Sequence, residues 1–220
     1  MEAALLLRLT DEAKVWVWLF FVGVAVAVVL LNLYAGKRRR QGLERAGLEM
    51  GFVFDAEAAT VAGQAFLSLP LLSRHSKLSN VLRGAVGSGE AVLLDVRVGS
   101  GKQARTQTVA CFRLAGQRLP RFELSPESFI VRIATKLGMK DIDFEASPEF
   151  SRSYLLRGAD EAAVRAVFHP GLLMFFEQHT GWCVEGEGEW LAVYHDMQTV
   201  PPAKLRTFLE ETSQVATGFL

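Results

Sequence analysis

The chain has 220 residues, half of them hydrophobic, with 24 basic and 24 acidic side chains and two cysteines. So much apolar content excludes a disordered chain, and Cys111 and Cys183 by themselves exclude a disulfide framework or a cysteine-built metal cluster. Formal neutrality, with no basic helix or aromatic platform of recognisable type, argues against nucleic acid as the partner.

Residues 1–14 carry Arg8 and Lys14 against Glu2, Asp11 and Glu12 and read as a short extracytoplasmic tail, with Thr10 or Asp11 as a candidate helix cap. Residues 15–36, VWVWLFFVGVAVAVVLLNLYAG, contain no charge. At about 1.5 Å per residue this stretch makes a helix of roughly 33 Å, close to the hydrocarbon thickness of a bilayer. A cleaved signal peptide would have a basic start and a shorter apolar core. A buried core helix would show a polar face, and here Asn32 is the only polar side chain. The stretch therefore predicts a retained transmembrane helix. Trp16 and Trp18 near one end and Tyr34 near the other are candidate interfacial anchors. Lys37, Arg38, Arg39 and Arg40 follow at once and predict contact with anionic headgroups on the cytoplasmic side, leaving the amino terminus outside. Gly23 and Ala27 form a small-xxx-small pair, which permits a homodimer without predicting one.

Residues 37–51 predict a basic juxtamembrane helix with Leu43, Ala46, Gly47 and Met50 on one face and Gly51 at its carboxy-terminal cap. Residues 52–220 predict one cytoplasmic α+β domain. Asp55 is placed to cap a short helix through Ala62, and Pro70 interrupts any helix drawn across it. Strands are expected at 80–85, 91–98, 106–114 and 121–124. In the second, Val92, Leu94, Val96 and Val98 alternate with an outward Asp95 and Arg97. Ser125-Pro126 predicts a helix start running to about Leu137, with Phe129, Ile130 and Ile133 on its apolar face. A short strand at DIDF, a strand at 153–157, helices at 160–168 and 171–179, a hairpin of 182–185 with 190–195, and a last helix to Val215 complete the chain. Strands and helices come in runs without regular βαβ alternation, which is the pattern of an α+β fold.

Neutrality hides an asymmetry. Residues 37–140 hold 17 basic and 8 acidic side chains, and residues 141–220 hold 5 and 13. The domain thus has a basic sub-half, 52–140, and an acidic one, 141–220. Either the basic half faces an anionic surface, the inner leaflet being the nearest, or the two halves pack against each other.

No chemistry stands out. Gly99-Ser100-Gly101-Lys102 lacks the spacing and the following Ser or Thr of a phosphate loop, and lies between two strands, so it reads as a hairpin turn. His169, His179, Cys183 and His195 do not match a zinc spacing. No nucleophile-elbow sequence occurs. Asp141, Asp143 and Glu145 alternate and are read as a solvated edge before a cation site. No catalytic residue, metal ligand or cofactor-binding residue is assigned, and no cofactor is expected. SNVLRGA at 79–85 and SYLLRGA at 153–159 are too short an echo to make a repeat.

At NVLRG, VRVGSGK, LPRFELSPE, DIDF and PEFSRSYLLRG the chain resembles a family of uncharacterised bacterial single-pass membrane proteins. The resemblance implies an amino-terminal spanning helix, a basic stop and one cytoplasmic α+β domain at the bacterial inner membrane, and no activity. The sequence as a whole predicts a membrane-anchored module that binds a protein partner or the lipid surface. A membrane-tethered enzyme without a visible motif, and an assembly factor pairing through its helix, are the alternatives.

Overall fold

The structure, a computed structural model, describes residues 11–61, 63–74, 77–99, 101, 104–127 and 141–220. Helix α1 (Asp11–Glu49) is uninterrupted, 39 residues and about 58 Å long. Its apolar stretch is long and apolar enough to cross a membrane and is unburied. Such a length of bare apolar surface requires an apolar solvent. A Schellman turn ends the helix. Gly51 takes φ +74°, Phe52 N donates to Gly47 O at 2.8 Å, and Gly51 N to Leu48 O at 3.1 Å.

The chain forms two compact units, Met1–Gly42 and Leu43–Leu220. The second is α+β. It is built on one antiparallel sheet of eight strands in the order β1-β2-β3-β4-β8-β7-β5-β6. The strands are β1 (Val53–Asp55), β2 (Leu78–Val86), β3 (Gly89–Val98), β4 (Arg105–Arg113), β5 (Leu119–Pro126), β6 (Tyr154–Gly158), β7 (Cys183–Gly188) and β8 (Trp190–Tyr194). The short helix α2 (Pro70–Arg74) follows two 3₁₀ turns, Ala59–Val61 and Ala65–Ser68. Helices α3 (Pro148–Ser153), α4 (Glu161–Val167), α5 (Pro170–Gln178) and α6 (Leu205–Thr217) complete the domain.

Both faces of the sheet are dry. On one, Leu82, Leu93, Phe112, Phe122 and Leu124 meet side chains of α3 to α6 and the end of α1. Leu43 is buried there, and a Cβ on Gly47 would lie 2.3 Å from Leu82, so the face predicted for this turn of helix is the one that packs. Phe122, Phe150, Phe168, Phe176 and Phe219 form a continuous aromatic cluster, with Phe122 5.2 Å from Phe168 and stacked 5.7 Å from Phe219. On the other face, α2 and the two 3₁₀ turns form a strap. Its Val61, Phe66, Leu69, Leu71 and Leu72 cover Val92, Leu94, Val109 and Cys111.

The structure corrects several expectations. Asp95 is not outward but 2 % exposed, accepting from Asn80 Nδ2 at 2.8 Å and Thr108 Oγ1 at 2.9 Å. A bulge between Ser79 and Leu82, with Asn80 at φ +53°, turns the asparagine amide to it. Asp55 caps only a 3₁₀ turn, accepting from Thr60 N at 2.8 Å and Glu57 N at 3.0 Å. No helix runs across Pro70, as expected: a 3₁₀ turn ends at Ser68 and a new helix starts at the proline. β5 runs through Ser125 and Pro126, so the helix start expected there is strand, and residues 128–137 of that predicted helix lie outside the described residues. DIDF contributes one bridge, Asp141 to Arg157. The sub-halves 52–140 and 141–220 do not separate, since β7 and β8 lie between β4 and β5.

At the centre of the aromatic face, a Cβ on Gly186 would sit 2.3 Å from the Phe122 ring. Overpacking of this kind costs about 1–3 kcal/mol. Gly186→Ala is therefore expected to lower the melting temperature by about 3–10 °C in calorimetry.

Candidate functional site

Trp16, Trp18 and Tyr34 are exposed on α1, and Lys37, Arg38, Arg39 and Arg40 follow on the same helix. Trp16 and Tyr34 are about 27 Å apart along the axis. The Arg38 guanidinium lies 5.5 Å over the Tyr34 ring, a contact that leaves its charge near the helix surface.

In the domain, the charge split of the sequence is folded into cross-strand pairs. Arg113 meets Glu189 at 2.8 Å and Arg121 meets Glu187 at 3.5 Å, each joining the basic stretch to the acidic one. Arg83 pairs with Glu90 at 3.1 Å, and Arg74 makes a two-pronged contact with Glu123 at 2.5 and 3.1 Å. Three basic side chains collect where β3 turns into β4. Lys77, Arg97 and Arg105 are exposed there, with Arg97 N bonded to Lys77 O at 3.0 Å and Val98 paired with Arg105. None of the three has an ion pair among the described residues. The turn itself follows the hairpin reading, with Gly99 at φ +83° and Gly101 at φ +58°.

A furrow runs beside α6 on the helical face. Two clefts of about 270 and 360 Å³ share Val86 and Ser213. Phe52, Met50 and Leu209 line one, and Phe112, Leu114, Ala216 and Leu220 the other. Two hydroxyls along its wall are bonded to the helix itself, Ser213 Oγ donating to Leu209 O at 2.6 Å and Thr217 Oγ1 to Ser213 O at 2.9 Å. Charged side chains stand at both clefts as well, Glu90 and Arg113 at one and Arg206 and Glu210 at the other.

The candidate ligand side chains are used locally. His195 stacks on Trp182 at 3.8 Å with Nδ1 2.9 Å from Gly181 O, and His179 stacks on Phe175 at 4.4 Å. His169 Nδ1 caps α5 by accepting from Leu172 N at 3.3 Å. Among the described residues no three His, Cys, Asp or Glu side chains come together to hold a metal ion. Asp141 accepts from Leu156 N at 3.1 Å, and burial, then the charge of Asp143, raises its pKa.

Sequence reasoning missed Glu185. It is 3 % exposed on β7, accepting from Leu71 N at 2.7 Å and from the Tyr194 hydroxyl at 3.0 Å. Burial pushes its pKa up to about 7. Burial likewise raises Cys111 and Cys183 above the ordinary thiol value. The signal was faint: Cys183 and Glu185 occupy alternate positions of one strand, opposite Tyr194 and Ala192.

The fold has a solved counterpart. The chain is similar to the crystal structure of the mycobacterial trehalose monomycolate transport factor A, TtfA, with a TM-score of 0.55 at 13 % identity, over 83 % of this chain and 90 % of that one. No protein-family model matches the chain, and no curated protein matches it. At this identity the likeness is one of fold.

The thiol environment is directly measurable. In the native protein at pH 7, Cys111 and Cys183 are expected to react with a thiol reagent at least roughly a hundredfold more slowly than in the urea-unfolded chain, because desolvation suppresses the thiolate.

Proposed function

We propose that the protein is a single-pass protein of the bacterial inner membrane, with residues 15–36 as the span, the amino terminus outside and an α+β domain in the cytoplasm. The domain is a surface-interaction module that reads anionic headgroups and serves transport at the membrane. One observation carries this reading: a bare apolar stretch of α1, followed immediately by Lys37, Arg38, Arg39 and Arg40, leads in sequence to a folded domain. Positive charge is kept on the cytoplasmic side of such a helix. Trp16, Trp18 and Tyr34 then sit at the two interfaces. Two further features support it. Lys77, Arg97 and Arg105 form a basic end with no ion pair among the described residues, and the furrow beside α6 is lined in part by apolar side chains, Phe52, Phe112 and Leu209 among them. The mycobacterial protein of like fold is by name a transport factor, and we assign this chain an auxiliary role of the same kind.

The test is flotation of the unit Leu43–Leu220, which lacks the span and the Lys37–Arg40 cluster, with neutral and anionic liposomes. Each basic side chain near an anionic surface contributes about 1 kcal/mol, so the domain should float with anionic vesicles at low salt only. Replacing Lys77, Arg97 and Arg105 by Gln should weaken that binding by roughly a hundredfold. An unchanged affinity, or no flotation of the parent unit, would mean that the domain is merely tethered.

A further inference from the structure

The basic end of the sheet holds a pairing that strands ordinarily avoid. Arg97 N donates to Lys77 O at 3.0 Å, one place beyond the pair Leu78–Val96, so Lys77 stands directly opposite Arg97 and on the same face. Thr106 of β4 stands opposite Arg97 on its other side. Like charges set directly opposite each other across antiparallel strands are destabilising. Both cations are exposed, and neither has an ion pair among the described residues.

A bulge produces this pairing. The register of β2 on β3 from Val86 to Leu82, continued without a break, would set Lys77 opposite Val98 and on the strap face. The irregularity between Ser79 and Leu82 shifts the pairing by one place, and such a shift turns a side chain to the other face. Asn80 takes φ +53° there, a conformation that asparagine adopts more readily than most residues. Its amide donates to Asp95 at 2.8 Å and its N–H to Ala56 O at 3.1 Å, while Thr108 Oγ1 donates to the second oxygen of Asp95 at 2.9 Å. This buried group fixes β2, β3 and β4 against one another just before the cations leave the sheet.

Directly opposite residues have Cβ atoms about 5 Å apart, so the Lys77 ammonium, the Arg97 guanidinium and the Thr106 hydroxyl can reach one small group. A phosphate monoester matches them. Its charge of about −1.5 to −2 offsets both cations, and its three oxygens accept from three side chains. A carboxylate, with one charge and two oxygens, would leave part of the set unused. Arg105 lies opposite Val98, on the other face, and does not belong to it. We propose that Lys77, Arg97 and Thr106 form a phosphate-monoester site, assembled by the Asn80 bulge, which turns Lys77 to the face of Arg97. The proposal rests on the reading of the domain as a binder of anionic headgroups and names the group that it binds, carried by a lipid or by a soluble compound.

The test is calorimetric titration of the full chain in neutral detergent at fixed ionic strength, with inorganic phosphate in one arm and a short-chain phosphatidic acid in the other. Both should bind. Lys77→Gln and Arg97→Gln should each weaken binding at least about tenfold, the loss of one charge-assisted hydrogen bond. Arg105→Gln removes the same charge and should change it less than about twofold. Asn80→Ala removes no charge but disfavours the positive φ, and should weaken binding at least about fivefold, whereas Asn80→Gly, which accepts that φ, should bind nearly as the parent does. Equal losses in the three charge variants, full binding by Asn80→Ala, or no binding in either arm would each overturn the site. Binding of phosphate without the lipid would keep the site, assign it to soluble phosphates and count against the headgroup reading. Flotation with anionic vesicles can persist when the three charge variants lose equally, so the two readings fail separately.

Discussion

Burial of β3 and β4 on both faces is the constraint from which the domain's other features follow. A sheet with one wet face needs only one layer of cover, but Ala91 to Val96 are buried without a break, so both sides must be packed. The helices and the end of α1 supply one layer and the strap the other. Two-sided burial also dictates what becomes of polar side chains in the central strands. Asp95 and Thr108 form one satisfied group with Asn80, and Gln107 Oε1 receives Met197 N at 3.0 Å. Glu185 answers the same demand with two uncharged donors, the Leu71 N–H and the Tyr194 hydroxyl, and burial raises its pKa.

The charge distribution obeys the same geometry. Antiparallel order places β7 beside β5 and the β7–β8 turn beside the end of β4, so that Arg121 meets Glu187 and Arg113 meets Glu189. Of the two sequence readings, mutual packing of the halves is seen in these two ion pairs. Lys77, Arg97 and Arg105, without an ion pair among the described residues, stand together at one end of the sheet. A charge imbalance along the chain is thus a poor measure of a charged surface, because strand order decides which charges meet.

The sequence was legible where one physical signal sufficed. Residues 15–36 declare a lipid-facing helix by length and the absence of charge, and β3, β4, β7, β8 and α6 follow from apolar pattern with punctuation by glycine and proline. It was opaque where partners are remote. Leu71 and Glu185 are 114 positions apart, so nothing local marks the strap as a cover or the acid as buried. Asp95 was misread because a polar residue in an alternating strand has the same pattern whether it meets water or an asparagine turned inward by a bulge. β1 has three residues and no period to detect.

The account stands or falls on α1 crossing the bilayer with the domain in the cytoplasm. The direct measurement is a pair of carboxy-terminal reporter fusions in bacterial cells, one active only in the cytoplasm and one only outside it, with carbonate extraction of the membranes. The account predicts that the cytoplasmic reporter alone is active and that the protein stays in the carbonate-washed membrane. Activity of the external reporter, or release of the protein by carbonate, would contradict it.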